Sequence, residues 1–507
     1  MILALIYFLA FLFFVNKLFF FKDDVLSFKI LLGVLVVKCL GCFAYYWVYF
    51  CYYPPGFNGD SVSTLHDAKI MYDALPEHPM DFIKMIFGLH SEFDNDPLYE
   101  PYFKQIEKWG RADITGDFFL NDNRTPIRIN AIIMLFSFGN YAVHALVMLV
   151  ISFIGQFAFY KTFKDYFPQK ELLLAAIIFF TPSMLFWTSG VLKEPIAICL
   201  LGLFTYSYFK LFVHYQIQTK YIGLFFLSCL LFLIVKPYIL VLLMVPLILF
   251  SVVKGYKIKR MTLFYASSLL IIYGSGILVL KFVFQKDVLN TIVVRQNDFV
   301  SLSKGGRFFI KGDKYVRFEY GDTTHFHKVD TIKNLYQLDR HSAFMYWDTH
   351  NLRDTIYETN NRDTSYFELR AVCAPSGSAI NIDRLQYSFS SFAKLIPQSF
   401  YNVLCKPFFY DSRSVLELMA SFENLFFLLF YILCFVFITK TPIDKNLLLC
   451  CMMIVISSFI LIGITTTVTG AIVRYKIPFI PFLLMIPLLY LKSEVLKKIP
   501  FVKHLVK

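Results

Sequence analysis

The chain has 507 residues, is 57% apolar and 19% aromatic, and carries a formal charge of +13. That apolar share exceeds the roughly 45–50% of soluble domains and excludes an ordinary globular enzyme. The excess of Lys and Arg sits largely in short loops and in the last residues, where it orients membrane helices, so it argues for topology and against a nucleic-acid partner.

Apolar runs of about 20 residues, enough to cross a hydrocarbon core of roughly 30 Å, recur from the first residue onward. They predict an all-α polytopic membrane protein with about eleven transmembrane helices, at 1–21, 28–51, 141–160, 171–189, 195–213, 220–236, 238–253, 262–284, 420–439, 446–466 and 475–491. A barrel would show short alternating strands instead. The first run has no basic n-region and no small-residue cleavage site, and so reads as a retained span.

The organisation expected is N-terminal helices in 1–52, an extracytoplasmic loop with interfacial helices in 53–140 and helices in 141–284. An extracytoplasmic mixed domain with an interfacial helix follows in 285–419, then helices in 420–491 and a basic cytoplasmic tail in 492–507. The Lys-rich turns 161–170, 214–220, 254–260 and 440–445 belong in the cytoplasm. Eleven alternating spans then put the N-terminus outside and the C-terminus inside.

In the first outer stretch, Gly59-Asp60-Ser61 precedes His66-Asp67. A carboxylate here suits proton removal from a sugar hydroxyl, or retention of a divalent cation beside a phosphate. The plain alternative makes Asp60 the N-cap of a solvated helix over 61–73. Residues 127–138 have the apolar grouping of an interfacial helix, broken by Gly139-Asn140.

The turn Trp187-Thr188-Ser189-Gly190-Val191-Leu192-Lys193-Glu194-Pro195 places Lys193 and Glu194 at a helix mouth, where backbone N–H groups and the helix dipole favour an anion. A Lys beside an acidic residue can bind a phosphate while staying oriented; the alternative is an interfacial charge pair. Lys236, in Val235-Lys236-Pro237, lies between two spans with almost no loop, and snorkelling would also explain it.

In the second outer stretch, 314–320 alternates between Gly312-Asp313 and Gly321-Asp322, which predicts a β-hairpin in a small α+β domain. Its His325, His327, His341 and His350 lack a recognisable third metal ligand and read as surface histidines. Residues 392–409 read as a second interfacial helix. Near the C-terminus, Arg474 in Arg474-Tyr475-Lys476-Ile477-Pro478 can make a forked contact to phosphate oxygens, and Lys476 adds a point charge. Among the cysteines, Cys39 and Cys42 have C-x-x-C spacing inside a span with no second ligand pair; Cys373 and Cys405 lie in polar segments, where pairing stays open.

An outward carboxylate in a long first loop, interfacial helices, basic residues at later outer turns and the segment from Gly470 to Pro481 together resemble the GT-C superfamily of membrane glycosyltransferases. Thr181-Pro182-Ser183 to Glu194 is similar to a signature of its bacterial surface-polysaccharide members. The likeness implies a polyprenyl-phosphate-linked sugar as donor and a glycan or lipid acceptor. It implies Asp60 as catalytic base, Asp67 as the second acid, and Lys193, Glu194, Lys236, Arg474 and Lys476 around the donor phosphate. A lipid-linked glycan flippase, recognised by polar residues deep within several spans, and a non-catalytic envelope scaffold are the rival expectations.

Overall fold

The computed structural model describes residues 2–53, 59–89, 97–103, 105–106, 123–311, 314–318, 326–331, 335–338, 343–348, 353–358, 366–436, 441–491, 493–496 and 504. Seven of its helices are long and apolar enough to cross a membrane: Phe28–Tyr52, Tyr141–Tyr166, Glu194–Val213, Pro237–Tyr256, Met261–Phe282, Val415–Val436 and Lys445–Thr465. The pair Thr469–Tyr475 and Ile477–Leu488, bent by 40°, makes an eighth if taken as one span. The chain is thus a multi-pass helical protein of the membrane class, and among the described residues the expected count of eleven is not reached on length.

The remaining expected spans coincide with shorter apolar helices, Ile2–Lys17, Glu171–Phe180 and Thr219–Val235. Sixteen residues in the first rise only about 24 Å. The expected span 171–189 is broken because Pro182 drives Thr181 out of the helical region, to ψ 125°, and a separate short helix Pro182–Trp187 follows. The expected straight span 475–491 is broken at the 3-10 turn Ile477–Phe479, which contains Pro478.

The chain divides into two compact units, Met1–Lys259 with Tyr431–Met452 and Ile477–Lys507, and Arg260–Phe430 with Met453–Lys476. In the first unit the helices before residue 260 are α1 (Ile2–Lys17), α2 (Phe28–Tyr46), α3 (Asp60–Asp73), α4 (Pro79–Phe87), α5 (Arg124–Ser137), α6 (Tyr141–Phe163), α7 (Glu171–Phe180), α8 (Pro182–Trp187), α9 (Glu194–Tyr208), α10 (Thr219–Val235) and α11 (Pro237–Tyr256). The closest packing is between α6 and α9. A Cβ on Gly155 would overlap the backbone of Cys199 and Ile198, and one on Gly202 would overlap the backbone of Gly155. Apolar tails offer helices no hydrophobic drive to associate in a bilayer, so such small-residue contacts carry the packing.

Helices α3, α4 and α5 have a core of their own, with Ala68, Met71, Phe82, Met85, Ile127, Ala131 and Met134 buried together. The outward faces of α4 and α5 remain apolar, with Met80, Ile83, Phe87, Leu135 and Phe138 exposed. A helix was expected at 127–138 and α5 lies there, while α4 is an amphipathic helix not foreseen. Phe138 and Gly139, both at positive φ, end α5, and Asn140 caps α6 by accepting from Ala142 N at 3.0 Å.

The Lys-rich turns share one end of this unit. Lys164 donates to Asp23 Oδ2 at 2.6 Å, and Lys161 to the Phe20 carbonyl at 2.9 Å. Lys170 Nζ donates to the Leu488 and Leu491 carbonyls at 2.6 and 2.8 Å. Asn446 Nδ2 donates to Phe250 O at 2.9 Å.

In the second unit, α12 (Met261–Phe282) and α13 (Val288–Lys304) precede seven strands, β1 (Gly306–Lys311), β2 (Lys314–Phe318), β3 (Phe326–Asp330), β4 (Leu335–Leu338), β5 (Ala343–Asp348), β6 (Arg353–Glu358) and β7 (Phe367–Cys373). Five form an antiparallel sheet in the order β2-β1-β7-β4-β3, and β5 pairs with β6. The expected hairpin is β1–β2, with Lys311 opposite Lys314. The helix expected at 392–409 is α14 (Phe389–Cys405), which buries Leu395, Ser399, Asn402 and Val403 and exposes Phe389, Ile396 and Tyr401. Then come α15 (Val415–Val436) and α16 (Lys445–Thr465), each divided between the two units, and α17 (Thr469–Tyr475). Cys405 is a free thiol, as are Cys39 and Cys42; the side chain of Cys373 lies outside the described residues.

Candidate functional site

Irregular backbone inside a helical bundle has to find its hydrogen-bond partners within the protein. The segment 188–193, between α8 and α9, finds two of them in side chains of α6 and α3. Ser152 Oγ donates to Thr188 O at 3.1 Å, and Ser61 Oγ donates to Val191 O at 3.0 Å while bonding Tyr45 Oη at 2.8 Å. Lys38, fully buried, donates to Gln156 Oε1 at 2.8 Å and Thr188 Oγ1 at 3.0 Å. Gly190 is a necessity here, because a Cβ would meet the Tyr45 ring at 2.6 Å.

The Ser61–Val191 bond fixes the start of α3 against this segment, and so brings Asp60 and Lys193 to one end of the first unit. Asp60 occupies the first turn of α3, and the capping position expected for it belongs to Gly59. Lys193, half-buried, donates to Asn123 Oδ1 at 3.5 Å, and Asn123 opens α5. Three helix N-termini, those of α3, α5 and α9, therefore gather at the segment. The first-turn N–H groups and partial positive charge of a helix start favour an anion. Arg124, 7% exposed at the start of α5, adds a cation.

Asn123 and Arg124 were not among the expected residues. Their signal was the helix start Asn123-Arg124-Thr125-Pro126, with Pro in the first turn. Asp67 lies two turns further along α3, fully buried, with Oδ1 3.4 Å from His66 Nδ1. It does not share the segment's mouth.

Lys236 does not snorkel. Its ammonium lies 3.1 Å from Glu194 Oε1, with both side chains 1% exposed. Lys236 caps the start of α11, where a cation opposes the helix dipole. Glu194 offsets that cost and is at the same time favoured in the first turn of α9. The two expected phosphate ligands thus neutralise one another.

Arg474 and Lys476 belong to the second unit. Arg474 ends α17 and is half-buried. Lys476 is 1% exposed and donates to Asn424 Oδ1 at 2.7 Å and Val403 O at 3.4 Å. Thr469, at the start of α17, donates to Glu417 Oε1 at 2.5 Å.

Among the described residues no group of three or more His, Cys, Asp or Glu side chains is placed to hold a metal ion. Asp60 and its described neighbours do not make a donor set for the divalent cation the sequence left open. His327 is exposed on β3, while His325, His341 and His350 lie outside the described residues. Compared with known protein families, curated proteins and solved structures, the chain matches none.

Proposed function

We propose that this chain is a GT-C-like glycosyltransferase of a bacterial inner membrane, moving a sugar from a polyprenyl-phosphate-linked donor to a glycan or lipid acceptor on the extracytoplasmic side. The observation that carries this reading is the gathering of the α3, α5 and α9 N-termini around Lys193, with Asp60 on the first turn of α3. Asp60 takes the proton of the acceptor hydroxyl. The acceptor oxygen bonds to the anomeric carbon, and the bond from that carbon to the phosphate oxygen breaks. Negative charge that builds on the departing polyprenyl phosphate is stabilised by Lys193, Arg124 and the N–H groups of the helix starts, already in place before reaction. Glu194 and Lys236 support the turn instead of the phosphate.

The test uses vesicles reconstituted with the full chain and a labelled polyprenyl-phosphate-linked sugar. Asp60→Asn should lower product formation roughly 10²- to 10⁴-fold with the protein still folded. Lys193→Ala should lower it likewise. Full activity in both variants defeats the reading.

A second reading, a lipid-linked glycan flippase, is favoured by one observation. Lys38, Gln156 and Thr188 form a buried polar chain across α2, α6 and the end of α8, and intramembrane ionisable groups commonly mark a substrate or ion path. Movement of the lipid between leaflets without a covalent product would select it.

A further inference from the structure

The second unit holds a polar cavity of about 150 Å³, several times what one water molecule needs. One wall is the segment 377–381, pinned to the start of α17. Ile380 N donates to Thr467 O at 2.7 Å, Thr469 N donates to Ser378 O at 2.9 Å, and Ala379 bridges Val468. The other wall is the turn leading into α15, which contributes Lys406, Tyr410, Asp411, Arg413 and Glu417.

The chemistry of this lining selects a ligand class. Two cations and two acids cancel, so the cavity has no net attraction for an ion. Glu417 is already engaged, by Thr469 Oγ1 and by Arg413 N at 2.8 Å. Asp411 Oδ2 is buried and has no hydrogen-bond partner among the described residues. A buried acceptor left unmade is costly, and a carboxylate oxygen accepts only. Its complement is a donor, which a fully ionised phosphate or carboxylate ligand does not offer, and Lys406 and Arg413 disfavour an ammonium. Arg413 spends one donor on Gly377 O at 3.4 Å, and its fork presents five in all. Tyr410, 81% exposed at the rim, offers an aromatic face.

We infer that this cavity binds an uncharged, hydroxyl-rich ligand of monosaccharide size, one hydroxyl donating to Asp411 Oδ2 and others accepting from Arg413 and Lys406. This goes beyond the transferase reading, since a chain that moves or merely holds a glycan would use the same pocket.

The test is saturation-transfer NMR of the full chain, in a detergent without a sugar head group, against a panel of neutral hexoses and N-acetylhexosamines. Expected is binding of at least one sugar, little changed by salt, weakened roughly tenfold or more by Asp411→Ala and also weakened by Tyr410→Ala, whose exposed ring leaves the fold intact. Thermal melting reports whether Asp411→Ala is folded, and Tyr410→Ala carries the test if it is not. No sugar binding, binding unaffected by both substitutions, or displacement of the sugar by inorganic phosphate would overturn the proposal. No lipid-linked donor is used, so failure here is distinct from failure of the transfer assay.

Discussion

Lys236 and Glu194, 42 residues apart in sequence, meet at 3.1 Å with both side chains buried. The pair joins the first turn of α9 to the start of α11, and in both places the sequence has Pro one residue further on. Removing one partner leaves a charge without its counter-ion in a low-dielectric site, at a cost of about 3 to 5 kcal/mol. Glu194→Gln and Lys236→Met should therefore each lower the melting transition of the detergent-solubilised protein. The double variant should recover most of the loss, because it removes both charges together. Strictly additive losses in the double-mutant cycle would show that the two are not coupled.

Hydropathy alone located a helix at every expected span, because a bilayer of fixed thickness imposes one length scale on every crossing. It did not locate the breaks at Thr181–Pro182 and at Lys476–Phe479, where proline chemistry was present in the sequence but an uninterrupted apolar run hid it. Lys236 was open to reading as a snorkelling cation because its partner is supplied by another helix, a fact of tertiary packing. Lys38 is a charge inside the expected span 28–51, yet its ties to Gln156 and Thr188 are not legible in the sequence. Asp60 and Lys193 were legible as chemistry, whereas the Ser61–Val191 bond that unites their elements depends on side chains with no distinctive pattern.

Close approach of α6 and α9 leads to a packing prediction. Gly155→Ala or Gly202→Ala puts a methyl group into the opposing backbone, which cannot move aside as a side-chain tip would. The expected loss is at least about 1 to 3 kcal/mol, the range for overpacking. Gly33→Ala on α2 is the control, since a methyl group there would meet nothing within 4 Å and Ala is the better helix former. Monodispersity and melting temperature after extraction should fall for the first two and hold or rise for the third.

Asp23 clasps the turn between α1 and α2 to the end of α6. Burial alone would raise its carboxyl pKa, but the Lys164 ammonium and the Leu26 and Val25 amides outweigh this and hold it below the usual carboxylate range. An acid whose pKa is depressed by folding adds stability that is present above the unfolded value, about 3.9, and lost as pH falls through the lower folded value. Melting temperature should therefore decline below about pH 4. Asp23→Asn should be less stable at neutral pH, by about 1.5 to 3 kcal/mol, and should show a shallower acid limb. Parallel acid limbs for the two proteins would exclude Asp23 as the titrating group.

Lys38 separates the two functional readings. In the wild-type fold it satisfies Gln156 Oε1 and holds Thr188, whose own hydroxyl donates to Met184 O at 2.6 Å. Lys38→Met leaves the Gln156 acceptor without that donor, at a cost of about 1 to 3 kcal/mol. Adding Gln156→Leu removes the acceptor too, and should restore part of the stability. If the chain is a transferase and Lys38 only braces the segment 188–193, the folded double variant retains sugar transfer in vesicles. If the buried polar chain carries substrate or ions, the same double variant is folded but inactive in lipid movement, so measuring both activities on one preparation decides which role the lysine plays.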